Sequence, residues 1–208
     1  MQILCAYAAP IEAGPLPGED LAVEFLELGV GKTAATHSMT LRLAESTPDL
    51  VVLFGIGGAY RDHDLKGGEL CLITEDRLAD EGVATQTGFL DLDELSLGTN
   101  GPFEMSPQHT DRVATLLGIE RLVHGATVST CSGTQSRAEG IAAQSGAQIE
   151  SMEGAAVAFA CRQADVPLVQ LRCVSNFAGD RAEGSWDIEG STTILQSAVR
   201  QLARGLAP

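Results

Sequence analysis

The chain has 208 residues, which suits one domain because ~150 residues per domain is a common length. Its 44% share of apolar residues and mean hydropathy of +0.09 are typical of a globular protein, and its net charge of −15 argues against binding to nucleic acids or anionic membranes. The N-terminus has no basic region and no apolar run reaches the ~18 residues of a membrane helix, so we expect a cytoplasmic protein.

Predicted strands and helices alternate along the first part of the chain. An apolar run at residues 3–8 predicts a buried strand, and alternating apolar and acidic residues at 21–28 predict a half-buried one. Residues 31–44 fit a helix. The β-branched run at 49–54 predicts a strand that stops at a tight glycine turn, Gly-Ile-Gly-Gly, at residues 55–58.

The rest of the chain continues this alternation around a polar, glycine-punctuated segment at 82–105, which is predicted to be mostly loop. Further strands are predicted at 69–74, 121–130 and 168–174. Further helices are predicted at 107–117, 135–144, 152–164 and 191–206. The order predicts a single α/β domain over residues 1–208, built as a three-layer α/β/α sandwich around a mixed, mostly parallel central sheet. In such folds ligands bind at the carboxyl ends of strands.

The cysteines and histidines give no sign of a metal site. The five cysteines lack a Cys-x-x-Cys spacing, and the four histidines show no metal-ligand spacing with each other or with the cysteines. Every cysteine stands in an apolar stretch, which predicts buried, reduced thiols. These thiols are Cys5, Cys71, Cys131, Cys161 and Cys173. We therefore predict no metal ion and no other cofactor.

Polar residues and glycines at three predicted strand ends are candidates for function, although each alone also has a structural explanation. Glu12 follows the first strand, where a glutamate is often a solvated loop residue. The glycine turn at 55–58 either lets backbone N–H groups approach a ligand or is only a turn. Glu153 begins an apolar helix, where it could complement the helix dipole, and Asn176 could cap the end of its strand.

Taken in chain order, these features resemble the nucleoside phosphorylase and nucleosidase superfamily, which includes methylthioadenosine/S-adenosylhomocysteine nucleosidases. The resemblance rests on Glu-Ser-Met-Glu-Gly-Ala-Ala at 150–156, Arg-Cys-Val-Ser-Asn at 172–176, the glycine segment and the early Glu12. It covers essentially the whole chain. Further stretches at 54–60, 80–83 and 175–181, with Trp186 beyond them, resemble the futalosine hydrolase branch, which belongs to the alternative menaquinone pathway.

The resemblance implies a role for each candidate residue. Glu153 would bind the ribose hydroxyls and favour the cationic sugar of the transition state, and Glu12 would deprotonate the attacking water. Ser175 and Asn176 would form the base-recognition end of the site. Met152 would pack on the sugar or base, and the backbone of residues 56–58 would line the sugar and water pocket. The residues of that last segment are Ile56, Gly57 and Gly58.

Asn176 departs from the aspartate that the resemblance leads us to expect in adenine-directed members. An amide has no titratable proton, so Asn176 cannot be a general acid, but it can donate and accept hydrogen bonds. That pairing suits a 6-oxopurine such as hypoxanthine, the base that is lost from futalosine. The chain has no arginine before Arg42, and a phosphorolytic site usually needs arginines there, so hydrolysis is favoured over phosphorolysis.

Three alternatives stay open at this point: a purine nucleoside phosphorylase, a methylthioadenosine/S-adenosylhomocysteine nucleosidase, and a nucleoside-binding protein on the same fold without catalysis. A serine hydrolase is disfavoured because the chain has no Gly-x-Ser-x-Gly motif, and Ser132 fits turn chemistry. The group at the far end of the ribose is not identified, and its candidate contacts are Arg137, Arg181 and Lys66. The resemblance also implies a homo-oligomer whose partners are a nucleoside and water.

Overall fold

The computed structural model describes residues 1–15, 23–61, 63–180 and 186–206. The strands are β1 (Ile3–Tyr7), β2 (Val23–Glu27), β3 (Leu50–Ala59), β4 (Leu70–Leu78), β5 (Gly82–Ala84), β6 (Phe89–Asp91), β7 (Phe103–Glu104), β8 (Leu122–Thr127), β9 (Ile149–Ser151) and β10 (Leu168–Phe177). The helices are α1 (Pro10–Ala13), α2 (Lys32–Glu45), α3 (Pro107–Leu117), α4 (Gln135–Ser145), α5 (Gly154–Gln163) and α6 (Ile188–Leu206). None of the helices in the described part is long and apolar enough to cross a membrane.

The central sheet is mixed and mostly parallel, as predicted, and it also closes on itself. Its strands follow the order β10-β4-β8-β9-β3-β1-β2. The first strand of this order, β10, also pairs with β3, so the strands from β10 to β3 form a closed ring. The pairs β1–β2, β1–β3, β3–β10, β4–β8 and β8–β9 are parallel. Strand β3 therefore has β10 along one edge, with β1 and then β9 along the other.

Alternate residues of the central strands enter two different hydrophobic layers. Cys5 and Val52 pack in the layer that contains α3 and α6, whereas Leu4 and Val51 pack in the layer that contains α2 and α5. Successive side chains of a strand point to opposite faces of its sheet, so a strand covered on both faces needs a continuous apolar run. The runs at the starts of β1 and β3 meet that need.

The predicted glycine turn at residues 55–58 is wrong, because these residues belong to β3. Strand β3 continues through these glycines, and side chains of the neighbouring strands occupy the space that side chains at these positions would need. A Cβ at Gly57 would lie 2.8 Å from Cδ1 of Ile149, and one at Gly58 would lie 3.1 Å from Nδ2 of Asn176. The glycines thus permit side chains of neighbouring strands to cross β3.

Five short elements were not predicted: α1, β9 and, within the segment predicted to be mostly loop, β5, β6 and β7. Strand β9 is only three residues long, and α1 is a four-residue helix that Pro10 begins. The predicted helix at 152–164 begins two residues later, because Glu153 is the N-cap of α5. The predicted loop at 82–105 contains the short strands β5, β6 and β7, and residues 21 and 22 of the second predicted strand lie outside the described residues.

Candidate active site

All eight site residues predicted from the sequence line one cavity of about 210 Å³. The cavity lies where the carboxyl ends of β1, β3 and β10 meet the start of α5. The eight residues are Glu12, Ile56, Gly57, Gly58, Met152, Glu153, Ser175 and Asn176. Trp186, Val30 and Glu150 also contribute to its wall.

Glu12 is buried in α1, rather than lying in a solvated loop, and backbone donors hold both of its carboxylate oxygens. Its Oε2 accepts hydrogen bonds from the N–H groups of Ala8 at 2.9 Å and Ala9 at 3.1 Å. Its Oε1 accepts from the N–H of Ile56 at 2.9 Å. The side chain is 5% exposed, which rules out the solvated loop position that the sequence left open for Glu12. These contacts tie the end of β1 to the glycine segment of β3.

Glu153 is equally buried at the N-terminus of α5. Its Oε1 accepts a hydrogen bond of 2.8 Å from the N–H of Gly31. The backbone of Gly31 has a φ of +90°, a conformation that favours glycine. Burial raises the pKa of the Glu153 carboxyl above its usual value, the Arg172 guanidinium and the Gly31 N–H oppose that rise, and the Glu12 carboxylate adds to it. Two carboxyl groups therefore face the same cavity close enough to influence each other.

Arg172 is a functional candidate that lies within the Arg-Cys-Val-Ser-Asn motif and for which no role was predicted. It is 1% exposed, and its guanidinium crosses β3 at Gly55, where an added Cβ would overlap Nη1 and lie 2.7 Å from Oε1 of Glu12. Its Nη2 donates to Oε1 of Gln170 at 3.4 Å, and Nε has no hydrogen-bond partner among the described residues. The signal for it was an arginine within an otherwise apolar buried strand.

A buried polar network continues behind Arg172. Gln170 donates to Oδ2 of Asp76 at 3.2 Å, and Thr127 donates to Oδ1 of Asp76 at 2.9 Å. The Thr127 hydroxyl in turn accepts from the N–H of Ala155, in the first turn of α5, at 2.7 Å. Burial raises the pKa of Asp76 to about 6, against the lowering influence of its hydrogen bonds and of Arg172. The network therefore links the Arg172 charge to the helix end that carries Glu153.

Local hydrogen bonds fix the orientation of the Asn176 amide. The hydroxyl of Ser175 lies within hydrogen-bond distance of two acceptors, Oδ1 of Asn176 at 2.8 Å and the carbonyl of Gly57 at 3.2 Å. Nδ2 of Asn176 donates to the carbonyl of Phe177 at 3.2 Å. One N–H of the amide is thus left to serve as a donor. Ser175 and Asn176 follow an irregularity in the pairing between β10 and β3.

Two of the residues suggested for the far end of the ribose lie outside this cavity. Arg137 pairs with Asp80 at 3.4 Å, and neither Arg137 nor Lys66 is part of the cavity wall. Arg181 lies outside the described residues. The prediction that every cysteine is buried is wrong for Cys131, which is exposed and reaches the cavity because it follows β8 on a loop. Within the described ranges, no three His, Cys, Asp or Glu side chains could together hold a metal ion.

Comparison with known proteins places the chain among nucleoside-cleaving enzymes. The model of the phosphorylase superfamily matches residues 19–207. A futalosine hydrolase of Thermus thermophilus is 34% identical over 86% of this chain and 80% of its own length, and that of Streptomyces coelicolor is 32% identical over 98% and 95%. A 5′-methylthioadenosine/S-adenosylhomocysteine nucleosidase of Shewanella sp. is 28% identical over 84% of this chain and 76% of its own length.

Solved structures share the fold at low sequence identity. A 5′-methylthioadenosine/S-adenosylhomocysteine nucleosidase from S. pneumoniae superposes with a TM-score of 0.78 at 17% identity, over 98% of this chain and 97% of its own. The futalosine hydrolase of Helicobacter pylori superposes with a TM-score of 0.74 at 19% identity, over 99% and 95%. The predicted nucleoside phosphorylase-like fold is thereby confirmed, and the chain belongs to the phosphorylase superfamily.

Proposed function

We propose that this chain hydrolyses the N-ribosidic bond of a 6-oxopurine nucleoside, with futalosine as the substrate and hypoxanthine and dehypoxanthine futalosine as the products. The observation that carries the proposal is one cavity that combines two buried carboxyl groups, Glu12 and Glu153, with the donor amide of Asn176. The futalosine hydrolases of T. thermophilus and S. coelicolor, at 34% and 32% identity, support the choice of substrate.

In the proposed reaction, the bond between C1′ of the ribose and N9 of the base breaks while a water oxygen bonds to C1′. Glu12 takes the proton from this water as the general base, a role worth ~10²–10⁴-fold in rate. Glu153 accepts hydrogen bonds from the ribose hydroxyls, and its negative charge favours the positive charge that develops on the sugar. Met152, Ile56, Gly57 and Gly58 line the sugar and water part of the cavity.

Asn176 donates the remaining N–H of its amide to the departing base, which keeps the electrons of the broken bond. The base then takes up one proton from the solvent, and Glu12 returns to the solvent the proton that it took from the attacking water. With Oδ1 turned toward the Ser175 hydroxyl and one N–H of Nδ2 bonded to the Phe177 carbonyl, the amide has its second N–H to offer to the base. A 6-oxopurine presents an acceptor oxygen where adenine presents an NH₂ donor. The fixed amide therefore favours hypoxanthine over adenine.

The cavity wall supports hydrolysis over phosphorolysis. In the part of the chain that the structure describes, the wall contains no lysine or arginine side chain, and Glu12 would repel a phosphate dianion at the place of the nucleophile. The adenine-directed nucleosidase is the second candidate, because the Shewanella relative is 28% identical to this chain. The homo-oligomer that the family resemblance implies stays a prediction, which sedimentation of the purified protein can test.

A substrate panel tests the proposal. Futalosine, inosine, adenosine and methylthioadenosine are incubated with the protein, each with and without inorganic phosphate, and release of free base is followed by chromatography. We expect hypoxanthine from futalosine at a rate that phosphate does not change. Preferential cleavage of methylthioadenosine would select the second candidate, and the absence of base release from all four nucleosides would leave a protein that only binds nucleosides.

A further inference from the structure

A carboxylate outside the cavity, Asp80, connects two segments that contribute to the cavity wall. It follows β4, its side chain is only 14% exposed, and it has no part in the reaction described so far. Its Oδ1 accepts a hydrogen bond from Nζ of Lys32, in the first turn of α2, at 2.7 Å. Its Oδ2 accepts from the N–H groups of Ser129 at 2.8 Å and Thr130 at 3.4 Å, in the loop between β8 and α4. Each oxygen of one carboxylate therefore holds a different segment.

The segment before α2 supplies the backbone donor of Glu153. Gly29 and Gly31 both have a positive φ, and Val30 between them is 59% exposed where it borders the cavity. Glycines change conformation at little cost, and an exposed valine gives little packing to hold them. The first buried residue of α2 is Ala35, one turn further along the chain. The N–H of Gly31 therefore needs a polar anchor to stay at 2.8 Å from the Glu153 carboxylate.

Lys32, the residue after Gly31, provides that anchor. A cation in the first turn of a helix opposes the helix dipole, so its place there depends on its partners. The Lys32 side chain is 10% exposed, and its ammonium pairs with Asp80 at 2.7 Å and with Glu81 at 2.9 Å. Exposed ion pairs contribute little, but loss of one partner of a largely buried pair leaves a charge without compensation. Removal of Asp80 should therefore displace Lys32 and, with it, Gly31.

The second oxygen of Asp80 fixes the start of the loop between β8 and α4. The parallel pairing of β4 and β8 continues to their carboxyl ends, which brings Asp80 next to this loop. Arg137 closes the arrangement, because its Nη2 donates to Oδ2 of Asp80 at 3.4 Å and to the carbonyl of Thr130 at 2.9 Å. The next residue, Cys131, lines the cavity. Asp80 thus ties the start of α2 to a loop that the sheet itself holds in place.

We propose that Asp80 is a positioning residue, which keeps the Gly31 N–H on the Glu153 carboxylate by fastening Lys32 to the loop between β8 and α4. This role rests on the proposed function, in which an ionised Glu153 favours the positive charge on the sugar. Burial raises the pKa of Glu153, and the hydrogen bond from Gly31 opposes that rise. Loss of this bond should raise the pKa further and leave less of the ionised form.

Titration of the Glu153 carboxyl by NMR tests this role without requiring catalysis. Glutamate labelled with ¹³C at its side-chain carboxyl is incorporated, and the Glu153 signal is assigned by its loss in Glu153→Gln. In Asp80→Asn the amide has a single acceptor oxygen, which can hold Lys32 or the loop but not both. The double variant Asp80→Asn, Lys32→Met removes the ion pair without leaving an unpaired charge. We expect a higher Glu153 pKa in both, and kcat/KM for futalosine lower by ~10-fold, the worth of a hydrogen bond to a charged group.

The direction of the shift separates positioning from long-range electrostatics. Removal of the negative charge of Asp80 would by itself lower the pKa of Glu153, so a rise in Asp80→Asn has to come from the lost hydrogen bond. Glu81→Gln is the matched control, because it removes a negative charge from the same Lys32 but leaves both oxygens of Asp80 in place. We expect no rise in the Glu153 pKa of this variant and a kcat/KM within about twofold of wild type, since Glu81 is 39% exposed.

Two results would overturn the inference. One is an unchanged or lowered Glu153 pKa in Asp80→Asn that urea unfolding shows to be folded; if the single variant does not fold, the same result in the double variant decides. The other is a rise in Glu81→Gln as large as that in Asp80→Asn, because the connection through the loop would then have no part in holding Gly31.

The same proteins separate this inference from the proposed function. If the Glu153 pKa rises in the Asp80 variants but the wild-type protein cleaves no nucleoside, the positioning role stands and the hydrolase proposal fails. If futalosine is hydrolysed but the Glu153 pKa is the same with and without the Asp80 carboxylate, the hydrolase proposal stands and Asp80 does not position the site.

Discussion

Substitution of Gly55 by alanine tests whether the geometry beneath the cavity controls the reaction. The new methyl group would overlap Nη1 of Arg172 and lie 2.7 Å from Oε1 of Glu12, whereas ordinary contacts between such atoms need about 3.5 Å. Arg172 and Glu12 must then both move by roughly 1 Å, and a misplacement of that size costs about 10²-fold in rate. Overpacking of the buried site should also lower the free energy of unfolding by about 1–3 kcal/mol.

The assay compares kcat/KM for futalosine in the wild-type protein, Gly55→Ala and a control variant, and it follows urea unfolding of all three. Gly67→Ala is the control, because an added Cβ there meets no heavy atom within 4 Å. We expect a loss of about 10²-fold in kcat/KM for Gly55→Ala and values within about twofold of wild type for the control. A folded Gly55→Ala protein with wild-type kcat/KM would refute the role given to the Glu12 and Arg172 geometry.

Three further predictions follow from the site. Glu12→Gln should lower kcat by ~10²–10⁴-fold while substrate binding persists, and near-wild-type turnover would remove Glu12 from the mechanism. Asn176→Asp should lower the ratio of kcat/KM for the hypoxanthine nucleoside to that for an adenine nucleoside by at least ~10-fold, and an unchanged ratio would mean that Asn176 does not read the base. The pKa of Asp76 is raised from 3.8 to about 6 by folding, so the folded state binds the proton more tightly and the contribution of Asp76 to stability falls as pH rises through that interval. Urea unfolding at pH 4.5 and pH 7 should show this pH dependence reduced in Asp76→Asn, whereas an identical pH dependence in both proteins would contradict the raised pKa.

Much of the fold could be predicted from the sequence because the central strands are buried on both faces. The run in β1 fills one hydrophobic layer with Cys5 and the other with Leu4, so it reads as a continuous apolar segment. Helix α3 has the predicted bounds Pro107–Leu117, because Pro107 marks its first turn and Gly118 ends it in a left-handed conformation.

The candidate site residues were predicted from a resemblance of short motifs. The features that those motifs do not predict depend on contacts between strands that are distant in the sequence. The glycines of β3 read as a turn, because only the structure shows that Arg172 and Asn176 fill the space beside them. Strand β9 has only three residues, which are too few for a periodic signal. The register that places Glu150 and Asn176 on the two sides of Gly58 was therefore not predictable.

The central claim is tested most directly by the products formed from futalosine in saturating inorganic phosphate. Phosphorus NMR and mass spectrometry of the reaction distinguish a free sugar from a sugar 1-phosphate, and chromatography identifies the released base. The account predicts hypoxanthine and dehypoxanthine futalosine with a free 1-hydroxyl, because Glu12 activates water and the described cavity wall offers no cationic side chain to a phosphate. Formation of a sugar 1-phosphate, or strict dependence of turnover on phosphate, would contradict it.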